Sequence, residues 1–243
     1  MWIPQPKQIW LPGQPKPPAG TMLDPLLCDG LVGCWLFNEG GGSTAFNLAQ
    51  PKHATWSDGS VSYNNRGLNL ADSAATQRVT FDESIGKCPC DITVIVRVTP
   101  TRASGKNVHF MSKWVSGRDW NNSWCIGGNY INTPTDYYPT FAVSIGIDVY
   151  EASHTVQWQT GVTETFVGVR RGNALFLYRN GLLVATTTGL SGETNTPTTI
   201  GKIGDFAGAS ALNTIATYHY AMIYNRALSA QEIQRLHEMT AVW

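Results

Sequence analysis

The chain has 243 residues, with Lys plus Arg and Asp plus Glu at 17 each, so its formal charge is zero and charged residues make up only 14% of it. That balance excludes the basic stripe a nucleic-acid surface needs, and it excludes electrostatic docking on anionic lipid. No apolar run approaches the ~20 residues of a membrane span, and all-β sandwiches of roughly 200–250 residues commonly fold as one unit.

Residues 1–25 differ from the rest. Pro4, Pro6, Pro12, Pro15, Pro17 and Pro18 exclude helix and central strand, so the segment reads as an extended, polyproline-like arm. Trp2, Ile3, Ile9, Trp10 and Leu11 stand between the prolines. Large apolar side chains on a preformed extended segment look like anchors for a groove on a partner. The first residues lack a basic stretch followed by an apolar one, so no signal peptide is expected, and the expectation is synthesis in a reducing cytosol.

From residue 26 the pattern is β. Predicted strands cover 31–37 and 76–81. In 91–98, Ile92, Val94, Val96 and Val98 alternate, the period-2 signature of a strand with one face buried. Further strands are expected over 107–112, 123–127, 139–146, 154–159, 164–170, 198–204 and 214–224. Residues 174–179 and 182–187 flank Asn180-Gly181, the favoured two-residue hairpin turn, which needs φ > 0 at both central positions. This many short strands implies an all-β, two-sheet antiparallel jelly-roll sandwich. One short C-terminal helix follows. Ser229 is its N-cap and Glu232 completes a capping box, Leu228 and Ile233 stand where a hydrophobic staple forms, and the helix is expected on the edge of the sandwich.

Three segments, in this order, resemble the laminin-G-like jelly rolls of the concanavalin A-like lectin/glucanase superfamily. They are Gly30-Leu-Val-Gly-Cys-Trp-Leu-Phe-Asn-Glu-Gly40 with Ser43-Thr-Ala-Phe-Asn47, Leu175-Phe-Leu-Tyr-Arg-Asn-Gly-Leu-Leu-Val184, and Ile223-Tyr-Asn-Arg-Ala-Leu-Ser-Ala-Gln-Glu-Ile233. The resemblance implies two antiparallel sheets, glycan or protein binding near the loops, in some members with calcium, and a habitat that includes bacteriophage structural and tail proteins. Asn47 and Gln50-Pro51-Lys52 depart from the family's acidic, glycine-rich pattern and weaken a calcium site. Glu39 and Asp205 are the best-placed acids, and no residue is assigned to a metal or cofactor.

The chemistry of catalysis finds little support. A retaining glycosidase needs two carboxylates roughly 5–5.5 Å apart, which on a strand means acids at alternating positions. Asp82-Glu83 and Asp148/Glu151 both point to opposite faces. The five histidines are scattered, and the five cysteines, Cys28, Cys34, Cys88, Cys90 and Cys125, have no zinc spacing and read as small buried hydrophobes.

The richest binding candidate is 113–138. Trp114 and Trp124 are expected in the core. Arg118, Trp120, Asn121, Asn122, Tyr130, Asp136, Tyr137 and Tyr138 are the expected contacts for a glycan or protein, because sugar rings stack on aromatic faces while Asn, Asp and Arg bond hydroxyls. Interfaces with proteins are enriched in Trp, Tyr and Arg for related reasons. The expected protein is non-catalytic and homo-oligomeric. It is a virion structural protein, of capsid-decoration or head-fibre type, fastened to other virion proteins by its arm and displaying a lectin-like domain. The alternative is a free-standing carbohydrate-binding module.

Overall fold

The computed structural model describes residues 28–56, 61–64, 67–70, 78–103, 107–115, 120–130, 137–204 and 214–241. In chain order the strands are β1 (Leu31–Trp35), β2 (Thr44–Ala45), β3 (Ala54–Trp56), β4 (Ser62–Asn64), β5 (Gly67–Leu70), β6 (Val79–Phe81), β7 (Ile92–Ala103) and β8 (Asn107–Lys113). They continue as β9 (Trp124–Tyr130), β10 (Tyr137–Ile145), β11 (Asp148–Ser153), β12 (Glu164–Arg171), β13 (Ala174–Arg179), β14 (Leu182–Thr188), β15 (Gly201–Ile203) and β16 (Thr214–Tyr224), and the helix α1 (Ala230–Thr240) closes the chain. The first sheet runs β14-β13-β12-β7-β16-β5-β4, with β1 also on β16, and the second runs β11-β10-β9-β8-β15-β6-β3-β2. Every pairing is antiparallel. The chain is the two-sheet jelly-roll sandwich with one C-terminal helix that its alternation implied.

Alternation in β7 sends Ile92, Val94, Val96 and Val98 into the space between the sheets, where they meet Phe110, Trp124, Phe141 and Phe166. The aromatic rings there are offset rather than eclipsed: Phe110 and Phe166 stack at 5.5 Å, and Tyr137 and Trp158 at 5.3 Å. The other face of β7, β12 and β16 is also apolar, presenting Ile95, Val167, Val169, Tyr220 and Met222. On β16 a bulge makes this so. Tyr218 opposes Val98 and Tyr220 opposes Arg97, leaving His219 as the extra residue. The inserted residue inverts the parity of β16, so Tyr218 faces the main core and Tyr220 faces away from it. The His219 ring nitrogen Nε2 lies 2.7 Å from Thr99 Oγ1 and ties the bulge down.

That second apolar face needs a cover, and α1 supplies it with Ile233, Leu236 and Met239. The helix therefore lies across the outer face of the first sheet, not on the sandwich edge as expected. Its start follows the capping box: Ser229 Oγ accepts from Glu232 N, and Ser229 N donates to Glu232 Oε2 at 2.8 Å. At the other end the buried Arg97 donates to the Ala241 carbonyl at 2.6 Å and to Thr165 Oγ1 at 3.0 Å. A cation there satisfies an orphan carbonyl and suits the negative end of the helix.

Several strand expectations are corrected. Residues 154–159 are not a strand; the strand lies at β11, and the following loop inserts Trp158 into the core. The segment 198–204 is a strand only over β15. The short strands β2 to β5 were not foreseen, because pieces of two to four residues carry too little periodicity to read. No disulfide joins the five cysteines; Cys34, Cys88 and Cys125 are buried as expected, whereas Cys28 is half-buried and Cys90 is exposed. The arm residues Trp2, Ile3, Ile9, Trp10 and Leu11 lie outside the described residues.

Candidate functional site

The stretch 113–138 does not form one site. Tyr138 and Gly146 are eight residues apart along and just past β10, about 27 Å at ~3.4 Å per residue. Trp120 sits at the Gly146 end and the two tyrosines at the other. Tyr137 is buried and stacked on Trp158, so it is a core residue and not a ligand contact. Tyr138 is half-buried, with its hydroxyl 3.4 Å from Gln157 Nε2. Asn122 is likewise removed from any ligand: it is fully buried, and its Oδ1 accepts from Val115 N at 2.7 Å, closing the loop that carries Trp120. Tyr130 ends β9, its backbone opposite Tyr137. Arg118, Asp136 and the side chain of Tyr130 lie outside the described residues. Trp124 fills the main core, its Nε1 donating to Gly86 O at 3.0 Å, whereas Trp114 packs on the outer face of the second sheet with Cys125 and Ala142.

Trp120 remains, and it is 67% exposed. Its ring lies over Gly146, where a Cβ would come within 3.2 Å of it. Gly146 takes φ 62 in the two-residue turn between β10 and β11, a conformation that favours glycine. The turn is held from a third segment. Gly146 N donates to Asn195 Oδ1 at 2.8 Å, and Asn195 Nδ2 donates back to Gly146 O at 2.7 Å. Thr199 Oγ1 then donates to the Asn121 carbonyl at 2.9 Å, fastening the same segment to the Trp120 loop. Ser123 N bonds Lys113 O and Ser144 N bonds Ser123 O, so the loop is also sewn to β8 and β10.

The result is a hydrogen-bonded seat for one exposed indole. It is flanked in the chain segments by Ile147, 50% exposed, and Ile200, 54% exposed. The side chains that build it are uncharged. Such a surface presents a flat π face and aliphatic edges. A CH-rich face of an uncharged polar ring fits it. Sequence reasoning found Trp120 but missed Gly146, Ile147, Asn195, Thr199 and Ile200. Only the glycine of the turn left a readable signal.

Among the described residues, several buried charged groups are committed to the fold. Glu164, buried at the end of β12, pairs with Arg179 at 2.7 Å. Arg179 also donates to Val156 O and Gln157 O at 3.0 Å each, pinning the loop after β11. Arg170 is buried and bonds Pro89 O, Thr194 Oγ1 and Gly192 O. Lys113 is buried and donates to Glu83 O and Ile85 O; burial, reinforced by Lys87, pulls its pKa down to about 8. Burial likewise pushes the Cys88 thiol up to about 11. Glu39 accepts from Phe46 N at 2.9 Å and from the Tyr63 hydroxyl at 3.3 Å, and Asp205 lies outside the described residues. Among the described residues no three His, Cys, Asp or Glu side chains cluster as a metal site would require. Asp148 opposes Ile145 and Glu151 opposes Ala142, so the two acids of β11 project to opposite faces.

A laminin G family model, described as the concanavalin A-like lectin/glucanases superfamily, matches residues 72–234. Comparison with curated protein sequences gives no match. Among solved structures, Trypanosoma rangeli sialidase in complex with sialic acid is similar with a TM-score of 0.62 and 14% identity over 87% of this chain; the match takes in 33% of the sialidase chain, about a third of its length. Domain 4 of AbnA, a GH43 extracellular arabinanase from Geobacillus stearothermophilus in complex with arabinotriose, is similar with a TM-score of 0.61 and 13% identity over 85% of this chain and 98% of that one. The binding domain of botulinum neurotoxin serotype D is similar with a TM-score of 0.66 and 9% identity over 88% of this chain and 52% of that one. At these identities the likeness is one of fold. With the family match covering two thirds of the sequence, the chain belongs to the laminin G branch of the concanavalin A-like lectin/glucanases superfamily.

Proposed function

We propose that this chain is a non-catalytic lectin-like binding protein whose ligand is a neutral glycan stacked on Trp120. The observation that carries the proposal is the exposed indole on a seat fixed by the Asn195–Gly146 and Thr199–Asn121 bonds. An exposed aromatic ring costs little entropy to order when its surroundings are already rigid. The solved domain bearing arabinotriose lends the fold a carbohydrate-binding precedent. The absence of catalysis is part of the proposal; it is supported by the sealed Glu164–Arg179 pair and the divergent acids of β11.

The finer reading is a homo-oligomeric virion structural protein of capsid-decoration or head-fibre type, assembled in the host cytoplasm. Its support is the proline-rich arm with Trp2 and Trp10, which suits anchoring to a shell while the lectin-like domain faces outward. Two experiments test the two halves. On a glycan array, wild-type protein binds a neutral saccharide, and Trp120→Ala loses at least tenfold in affinity with an unchanged melting temperature. Equal binding by the variant, or no binding by either, refutes the glycan site. In co-sedimentation with virus particles, full-length protein pellets and protein lacking residues 1–20 stays in solution; pelleting by both, or by neither, refutes the anchor.

A further inference from the structure

The seat of Trp120 is built from polar side chains, yet those side chains have little left for a ligand, because their protons are spent on the seat. Asn195 Oδ1 accepts from Gly146 N at 2.8 Å, and its amide donates to Gly146 O at 2.7 Å and to Ser144 Oγ at 3.4 Å. A side-chain amide has two N–H donors, so both are in use. Ser144 Oγ donates in turn to Gly146 O at 3.2 Å, and Thr199 gives its one hydroxyl proton to the Asn121 carbonyl. What projects beside the indole is aliphatic. Ile147 follows Gly146, the residue beneath the ring, and Ile200 follows Thr199, and each is about half exposed. The next acid along the chain, Asp148, opposes Ile145, which packs against the main core, so cross-strand pairing sets its carboxylate toward that side.

We propose that the Trp120 site selects a 6-deoxyhexose, a sugar that carries a methyl group where a hexose carries a hydroxymethyl; this rests on the glycan reading given above. The CH-rich face of the sugar lies on the indole, and its methyl group lies against Ile147 or Ile200. The selection is a difference in desolvation. A hexose sets its 6-hydroxyl against isoleucine, where it gives up water and finds no proton left on Asn195, Ser144 or Thr199 to accept. A methyl group has no such loss and removes apolar area from water. Apolar sites that discriminate by one small group do so by roughly 10- to 200-fold. A platform open to solvent belongs at the low end, so about tenfold is expected.

Ligand-observed NMR titration of the full-length protein tests this with methyl glycosides in matched pairs of one configuration: 6-deoxygalactose against galactose, 6-deoxymannose against mannose, and 6-deoxyglucose against glucose. In at least one pair the 6-deoxy member binds about tenfold tighter or better, and saturation transfer from the protein is strongest at its methyl protons. Ile147→Ser combined with Ile200→Ser brings that preference to roughly twofold or less with an unchanged melting temperature, because both side chains are half exposed and the hexose keeps its contact with the indole. Trp120→Ala removes binding of both members. A 6-deoxy member that binds no tighter than its hexose in every pair, a methyl group without saturation transfer, or a preference that survives the two serine substitutions each overturns the inference. Array saccharides bound through Trp120 without a 6-deoxy preference overturn it while leaving the glycan reading in place. Binding of no saccharide at all overturns both.

Discussion

His109 sits in β8 on the outer side of the second sheet, buried, with its ring edge-on to Trp114 at 6.3 Å. Burial drives its pKa from 6.5 down to about 4. Between those values the unfolded chain holds a proton that the folded chain does not. The stability tied to neutral His109 is therefore complete above pH 6.5 and is lost as pH falls through 6.5 toward 4. Each tenfold change in proton affinity is worth ~1.4 kcal/mol, so the loss is about 3 kcal/mol. Burial also lowers His154 and His237, which add losses of the same sign, and Glu232, pulled to about 2 chiefly by its bond to Arg226, adds one that begins below 4.5. A neutral replacement isolates His109. Urea unfolding at pH 7, 5.5 and 4 is expected to show wild type losing about 3 kcal/mol more than His109→Gln over that range, whatever the offset between them at pH 7. If the two lines fall in parallel, His109 is not held neutral in the fold and the reasoning fails.

Two other substitutions probe the packing. Arg179→Met strands the buried Glu164 carboxylate without its cation, a loss of about 3–5 kcal/mol, and it frees the carbonyls of Val156 and Gln157, so faster amide exchange in 154–160 accompanies the lower denaturation midpoint. A loss below about 1 kcal/mol would mean that the pair is solvated. Gly168→Ala puts a Cβ 2.2 Å from the Phe141 ring, itself fully buried between the sheets, and is expected to cost about 1–3 kcal/mol by thermal denaturation. An unchanged melting temperature would show that the two sheets are less closely packed at this crossing.

Much of the fold was legible because its signals are local. The alternation of Ile92 to Val98, the Asn180-Gly181 turn with Asn180 at φ 52, and the Ser229/Glu232 box each state their own geometry within a few residues. The short strands β2 to β5 and the β11 boundary were not legible, since pairing across the sheet, not periodicity, defines such pieces.

The candidate site divides in the same way. Composition and aromatic density marked 113–138, and the sequence alone offered Trp120 and the Asp136-Tyr137-Tyr138 turn as its exposed groups. It could not separate Trp120 from Tyr137, because proximity in the chain becomes about 27 Å along an extended strand. Nor could it join Trp120 to Asn195 and Thr199, which come from a loop that only the sandwich brings to the Gly146 turn. Local chemistry decided which residues form strands, turns and helix. The tertiary structure decided which aromatic rings of 113–138 are core and that Trp120 faces solvent, because burial belongs to the packed sheets and not to any segment of the chain.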